Sequence, residues 1–200
     1  MTDTYKILLF EKEKEIGYII FHYDKLNILI TSLYVYEKGQ GYGSVLMIFF
    51  LCFIINNIHD SYYIKKISLD DCSDLACTKK SIYYKLGFRI LDDRSMEIMR
   101  INFLKPSSSK KTINKQHKYN DDIFSSIVHF KSITDYYNHL LDIYKELLLK
   151  IASKDDILSF KIYKNKDGEY IYIKDLDIGS CLIKKENIKY SLRKSKMKST

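Results

Sequence analysis

A cluster of glycines between residues 39 and 43 constrains the fold of this chain more than any other feature. Three of the seven glycines in the 200 residues lie there, between an apolar stretch from Leu26 to Tyr36 and a second one from Tyr42 to Ile58. Glycine permits a positive φ and the close approach of a ligand to the backbone. A helix that begins at such a loop points its first N–H groups at it. The pattern predicts a strand, a loop and a helix, and the loop is either a phosphate site or a ligand-free tight turn.

Short apolar stretches before the loop predict three strands. Tyr5 to Phe10, Glu15 to Tyr23 and Leu26 to Tyr36 are close together in sequence, and such strands pair as an antiparallel meander. The helix from Tyr42 to Ile58 is apolar around most of its circumference rather than along one stripe. We therefore expect the C-terminal segment to cover its outer face.

The region after this helix predicts alternating strands and helices up to residue 104. The expected elements are a strand from Tyr62 to Leu69, a helix from Ser73 or Asp74 to Leu86, and closing strands over Phe88–Leu91 and Met96–Leu104. Together with the meander, the order is β-β-β-α-β-α-β-β. This order predicts an α+β fold in which helices flank a mixed, mostly antiparallel sheet.

Residues 105–200 predict an extension of that fold by a helix and a β-hairpin. Apolar side chains at helical spacing predict a long helix from Asp121 to Ala152. The stretches Ile157–Lys164 and Glu169–Lys174 flank Asn165-Lys166-Asp167-Gly168, which is a hairpin signal, and Asp177–Lys184 predicts a further short strand. The predicted organisation is a domain over 1–104, a basic linker over 105–120, a helix and hairpin region over 121–185, and a basic tail over 186–200.

The net charge of +8 is concentrated in two segments. Residues 1–104 are balanced, whereas residues 105–120 carry five lysines and no acid, and residues 184–200 carry seven basic side chains and one acidic one. Segments of this kind contact polyanions weakly and without specificity. A specific nucleic-acid site is the alternative, although no base-stacking array is evident in the sequence.

Cysteine spacing and hydropathy predict a reduced, intracellular protein. The four cysteines form no Cys-x-x-Cys pair, so we do not expect a zinc site. We expect reduced thiols in a cytoplasmic protein. A nuclear or virion-associated location is the alternative. The longest apolar run, Val45 to Ile55, is shorter than the ~20 residues that cross a bilayer, and residues 1–20 show no secretory signal. The abundance of Ile, Lys, Tyr and Asn is typical of A+T-biased coding, as in large DNA viruses.

Two segments resemble motifs of a known family. They are Lys38-Gly39-Gln40-Gly41-Tyr42-Gly43-Ser44 and, about forty residues later, Ile82-Tyr83-Tyr84-Lys85-Leu86-Gly87-Phe88. In order, separation and predicted placement they are similar to the coenzyme A loop and the following helix of the GNAT superfamily of N-acetyltransferases. The resemblance covers residues 5–104 and implies a GNAT-like sheet that binds acetyl-CoA.

The resemblance also implies roles for single residues. The N–H groups that would bind the coenzyme A pyrophosphate belong to Gly39, Gln40, Gly41, Tyr42, Gly43 and Ser44. Lys38 stands where the family usually has Gln or Arg, and its charge suits a phosphate contact. The main chain of Leu33, Tyr34 and Val35 would bind the pantetheine arm and the acetyl carbonyl. Tyr83 stands where the family has the tyrosine that protonates the departing thiolate, unless it is a packing residue.

The chain departs from the family pattern in three respects. In the family, an opening strand and two helices form the wall of the acceptor site, and these elements are not evident here. Ala76 stands about where the family often has an asparagine. The strand before the loop contains no carboxylate to act as general base. Asp70 and Asp71, at the end of the next strand, are the nearest substitutes, or else they form an ordinary solvated strand end.

Two classes of function follow from these observations. The first is an N-acetyltransferase, in which the amine of a protein lysine, a protein N-terminus or a small molecule attacks acetyl-CoA directly, with Tyr83 as acid. The second is a non-catalytic GNAT-like scaffold or binding protein. A nucleic-acid-associated protein that uses the basic linker and tail is a third reading, and a homo-oligomer is left open.

Overall fold

The computed structural model describes residues 2–59, 61–72, 78, 80–90, 98–103, 130–152 and 158–177. The strands are β1 (Asp3–Glu11), β2 (Lys14–Tyr23), β3 (Asn27–Val35), β4 (Lys66–Asp70), β5 (Arg89–Ile90), β6 (Ile98–Asn102), β7 (Leu158–Lys166) and β8 (Glu169–Asp177). The helices are α1 (Tyr42–Asn57), α2 (Ile82–Lys85), α3 (Ile133–Ile143) and α4 (Lys145–Ala152), with a 3₁₀ turn at Ser61–Tyr63.

Within these residues, eight strands form one sheet in the order β5-β6-β4-β3-β2-β1-β7-β8. The first three strands form the predicted antiparallel meander. The pairing of β3 with β4 is parallel, and the other described pairs are antiparallel. The prediction of an α+β fold with a mixed, mostly antiparallel sheet is therefore confirmed.

The C-terminal hairpin extends this sheet at the outer edge of β1. β7 pairs with β1 from Tyr5 opposite Lys164 to Glu11 opposite Leu158, and β8 pairs with β7. Asp167 and Gly168 both have positive φ, 55° and 93°, as a tight hairpin turn requires. The predicted hairpin is confirmed, and it joins the sheet of residues 2–103.

Helix α1 is buried between the sheet and the C-terminal helices. Its residues from Tyr42 to Ile54 are all buried. On the sheet side, Phe50 meets Phe21 edge to face at 4.8 Å, and Phe49 stacks on Phe160 at 3.7 Å between ring centroids. On the other side α3 packs against α1. The expectation that the C-terminal segment covers this uniformly apolar helix is confirmed.

The predicted helix from Asp121 to Ala152 is interrupted in its described part. α3 begins after Ser132, whose side chain accepts a hydrogen bond from the N–H of Asp135, and it ends at Tyr144, where φ is −99° and ψ is 14°. α4 then begins at Lys145. The apolar spacing continues across Tyr144, so spacing alone could not reveal the break. Residues 121–129 of the prediction lie outside the described residues.

The helix predicted from Ser73 or Asp74 to Leu86 is also shorter in its described part. Ser81 has the extended torsions φ −54° and ψ 139°, and its Oγ accepts a hydrogen bond from the N–H of Tyr83. Such an N-cap begins a helix at the next residue, so α2 is a single turn. Residues 73–77, and the predicted strand beyond Asp177, lie outside the described residues.

The cysteines differ from the expectation of reduced thiols. Cys52 is buried in α1 and is disulfide-bonded. Cys72 is free and exposed. The spacing of the cysteines along the sequence did not reveal this bond.

Candidate functional site

The glycine loop between β3 and α1 has the backbone geometry that its sequence predicts. Gly39 and Gly41 both have a φ of 84°, and Gly41 is the N-cap of α1. This left-handed region is unfavourable for residues with a Cβ. The N–H groups of Ser44 and Val45 donate to the carbonyl of Gly41, at 3.0 and 3.2 Å. The loop therefore turns the chain directly from β3 into the first turn of α1.

The side chains of this segment divide into an exposed half and a buried half. Lys38, Gly39 and Gln40 are exposed, whereas Tyr42, Gly43 and Ser44 are buried. The hydroxyl of Tyr42 donates to Glu11 Oε1 of β1 at 2.8 Å, which fixes the start of α1 to the sheet. The first turn of α1 itself contains no acidic side chain, and the carboxylate near it is that of Glu11, which accepts the hydrogen bond from Tyr42.

A leucine from α4 lies against the loop, a contact that the sequence did not indicate. A Cβ placed on Gly41 would lie 2.7 Å from Leu147 Cδ2. The positive φ therefore favours glycine at position 41, and a side chain there would also have to displace the methyl groups of Leu147. By contrast, a Cβ on Gly39 would meet nothing within 4 Å among the described atoms. The loop thus has one end open to solvent and one end packed against the C-terminal region.

Strands β3 and β4 pair over only part of β3. Their register runs from Asn27 opposite Lys66 to Ile30 opposite Leu69, although β3 continues to Val35. Thr31 is an extra residue in β3, because Ile30 pairs with Phe21 of β2 and Ser32 already pairs with Ile20. Such a bulge bends a strand and increases its twist. It lies where the described pairing of the two strands ends.

Beyond the bulge, the backbone groups of β3 alternate between its two edges. The N–H of Tyr36 donates to Ile16 of β2 at 3.0 Å, and the carbonyl of Tyr34 lies 2.6 Å from a Cβ built on Gly17 of β2. In an antiparallel pair, alternate residues direct their N–H and C=O groups to opposite edges. The main-chain groups of Leu33 and Val35 therefore point away from β2, towards the side on which the pairing with β4 has ended.

Helix α2 brings the second motif against the first. A Cβ on Gly43 would lie 2.7 Å from Ile82 Cδ1 and 3.7 Å from Leu33 Cδ2. The single turn that contains Tyr83 is therefore close to both the start of α1 and the end of β3. Two segments about forty residues apart in sequence share one end of the sheet.

Tyr83 and Asp71 lie close together, next to Ser81, the N-cap residue of α2. Asp71 is buried and accepts a hydrogen bond from Ser81 Oγ at 2.5 Å. Burial raises the pKa of Tyr83 to about 12, and the nearby negative charges of Asp71 and Cys72 add to this effect. Asp70 is exposed, so the two adjacent carboxylates have different environments. Sequence reasoning missed Ser81, although a serine before an apolar turn is a usual helix cap.

Other features of the described residues lie away from this site. A shallow depression of about 260 Å³, lined by Thr2, His22, Asp24, Asn27 and Leu29, is at the opposite end of β2 and β3 from the glycine loop. Among the described residues, no three His, Cys, Asp or Glu side chains are grouped as metal ligands. None of the helices in the described ranges is both long and apolar enough to cross a membrane.

Comparison with known protein families and with curated proteins finds no match to this chain.

Proposed function

We propose that this protein binds acetyl-CoA and transfers its acetyl group to an amine, as a GNAT-like N-acetyltransferase. The observation that carries the proposal is the meeting of the two motif segments at one end of the sheet. Ile82 contacts Gly43, so the helical turn that contains Tyr83 lies near the glycine loop and the end of β3. This proximity supports the roles that the resemblance implies.

The glycine loop would bind the pyrophosphate of coenzyme A. The start of a helix attracts anions through its N–H groups and its dipole. Because Ser44 and Val45 already donate to Gly41, the pyrophosphate would be bound by N–H groups that precede Ser44. Lys38 is exposed beside the loop and would add a charged contact. The main-chain groups of Leu33 and Val35 would hold the pantetheine arm and polarise the acetyl carbonyl.

Tyr83 would act on the leaving sulfur. The amine nitrogen attacks the carbonyl carbon, the carbon–sulfur bond breaks, and the departing sulfur accepts the proton of the phenol. The nitrogen releases its own proton to water. The phenolate then regains a proton from solvent. With a pKa of about 12, the phenol remains protonated at neutral pH and donates a hydrogen bond to the developing thiolate. Because Asp71 accepts from Ser81, it orients the cap of α2, whereas Asp70 is the exposed carboxylate.

A non-catalytic binding protein is the second candidate. It is favoured by the burial that raises the pKa of Tyr83, and by Leu147, which lies against Gly41 and closes one end of the loop. Both contacts are those of a packed core rather than of an open cleft. Binding without turnover would support this candidate.

Calorimetric titration with acetyl-CoA and coenzyme A tests the proposal. Lys38→Glu should weaken acetyl-CoA binding about tenfold, since a charge-assisted contact is replaced by repulsion. Lys166→Glu, at an exposed position in the C-terminal hairpin, makes the same charge change and should bind normally. The absence of binding by the unaltered protein at millimolar acetyl-CoA would exclude the enzyme. If binding is measured, an acetylation assay over lysine peptides, protein N-termini and small amines, with Tyr83→Phe as comparison, separates the two candidates.

A further inference from the structure

The face of the sheet opposite α1 carries tyrosines and lysines. On β2, Ile19 and Phe21 point into the core beneath α1, so Tyr18 points to the other face because side chains alternate along a strand. The register places further residues on the same face. We call this surface the aromatic face; its residues include Lys6, Tyr18, Tyr34, Lys161, Tyr163, Tyr170 and Tyr172, and one exposed carboxylate, Asp175, lies on it opposite Lys161.

The rings of the aromatic face are arranged in cross-strand pairs. Tyr18 and Tyr34 lie opposite each other and stack, with centroids 5.8 Å apart and an angle of 30° between planes. Tyr163 and Tyr172 also lie opposite each other, across β7 and β8, but they meet edge to face, with centroids 5.8 Å apart and an angle of 71° between planes. Tyr34 and Tyr172 are each close to half exposed, at 47% and 49%. Tyr18 and Tyr163 are half-buried, so each pair presents one largely exposed ring and one partly covered ring to solvent.

Lysines are placed among these rings. Lys6 Nζ lies 5.2 Å from the centroid of Tyr18 and 6.0 Å from that of Tyr170. Lys161 Nζ lies 4.8 Å from the ring of Phe10. Among the described residues, Lys6 has no carboxylate within ion-pairing distance. A cation held between exposed rings can contact a phosphate while a neighbouring ring stacks on a base.

The dimensions and charge of the aromatic face suit a short stretch of single-stranded nucleic acid. β3 and β8 are separated by four strand spacings in the sheet order, which is about 19 Å and is enough for several nucleotides. The chain continues beyond the edge strand β8 into residues 184–200, with seven basic side chains and one acidic one. Exposed rings interleaved with cations favour a nucleic acid over a protein partner, whose contact surface is depleted in lysine.

We propose that the aromatic face binds single-stranded nucleic acid without strong sequence preference. Bases stack on Tyr18, Tyr34 and the Tyr163–Tyr172 pair, and Lys6 contacts the phosphate backbone. This site is on the opposite side of the sheet from α1 and does not depend on acetyl-CoA binding, so either proposal can fail without the other.

Fluorescence anisotropy with labelled oligo(dT), oligo(U) and a duplex of the same length tests this proposal on the full chain. We expect tighter binding to the single strands than to the duplex, with an affinity that falls as salt rises. Tyr18→Ala/Tyr34→Ala should weaken single-strand binding by about tenfold or more, since it removes a stacking pair. Tyr18→Phe/Tyr34→Phe should keep the binding, because the rings remain. Lys6→Gln should reduce the salt dependence by about one phosphate contact.

Tyr62 and Tyr63 provide the matched control. They are exposed and adjacent, with ring centroids 4.0 Å apart, but they lie in the 3₁₀ turn after α1. Tyr62→Ala/Tyr63→Ala should bind oligonucleotides as the unaltered protein does. A second control is the full chain with Lys194, Lys196 and Lys198 replaced by glutamine, which should lose affinity without changing the effect of the Tyr18 and Tyr34 substitutions.

Three results would overturn the proposal. The first is that micromolar protein does not bind single strands in low salt. The second is that it binds the duplex as tightly as the single strands. The third is that the tail variant loses binding while the variant with alanine at positions 18 and 34 binds normally. The last result would assign the affinity to the tail alone. Thermal melting of each variant establishes that a loss of binding is not a loss of folding.

Discussion

The two faces of the sheet differ in chemistry although alternate residues of the same strands build both. Along β7, Phe160 is fully buried and stacks on Phe49 of α1, while Tyr163 contributes to the aromatic face and meets Tyr172. One face is apolar and covered by α1; the other is tyrosine- and lysine-rich. The two faces can therefore be altered independently, because side chains alternate along a strand and a substitution on one face leaves the opposite side chains in place.

The largest expected effect comes from the covered face. Phe160→Ala removes a fully buried ring from its stack with Phe49 and should lower the free energy of unfolding by about 3–5 kcal/mol. Tyr163→Ala, on the opposite face of the same strand, should cost about 1 kcal/mol. Urea unfolding followed by circular dichroism measures both. Equal losses for the two variants would mean that the two faces are not energetically distinct.

A buried tyrosine of α3, Tyr137, should make stability depend on alkaline pH. Burial raises the pKa of Tyr137 to about 12, above its unfolded value of about 10. The folded state therefore holds this proton more tightly: the stabilisation is complete below pH 10 and is lost as pH rises through 12, by about 2–3 kcal/mol. Urea unfolding between pH 9 and 12 measures the slope, and Tyr137→Phe should reduce it. An unchanged slope in that variant would contradict the burial of this phenol.

A smaller effect separates the two adjacent carboxylates at the end of β4. Asp71→Asn weakens a short hydrogen bond from Ser81 and should cost about 1–2 kcal/mol, whereas Asp70→Asn, at an exposed position, should change stability by about 0.5 kcal/mol or less. Removing the charge of Asp71 should also lower the pKa of Tyr83, since that charge helps to raise it. Chemical denaturation and the ultraviolet absorbance of tyrosinate, corrected with Tyr83→Phe, measure these effects. A Tyr83 titration unaffected by Asp71→Asn would contradict this coupling.

Local features of the sequence predicted the local features of the structure well. The meander, the glycine loop with its positive φ values and the Asp167-Gly168 hairpin depend on neighbouring residues, so their signals are contained in short segments. The boundaries that depend on distant contacts were predicted less well. The break at Tyr144 was not visible in the apolar spacing, and the short α2 depends on the cap that Ser81 makes with its hydroxyl held by Asp71.

The sequence predicted which segments form the candidate site, but not how these segments contact one another. The resemblance named Lys38, the loop residues and Tyr83, and the contact of Ile82 with Gly43 is consistent with their proximity. Leu147, which lies against Gly41, could not be anticipated, because residues 106 positions apart carry no mutual signal in a single sequence. The acetyl-CoA site is a proposal, and it is tested by calorimetric titration of the unaltered protein and of Lys38→Glu.

By itself, the sequence determined the strand and helix order, the apolar character of α1 and the glycine turn that begins it, because hydrophobic period and backbone sterics act over a few residues. Only the tertiary structure decided that the C-terminal hairpin pairs with β1, that α3 is the C-terminal element that packs on α1, and that the tyrosines of four strands share one face. Those outcomes depend on burying apolar surface and pairing strand edges across long sequence separations. Contacts between residues that are far apart in the chain leave no short pattern in a single sequence.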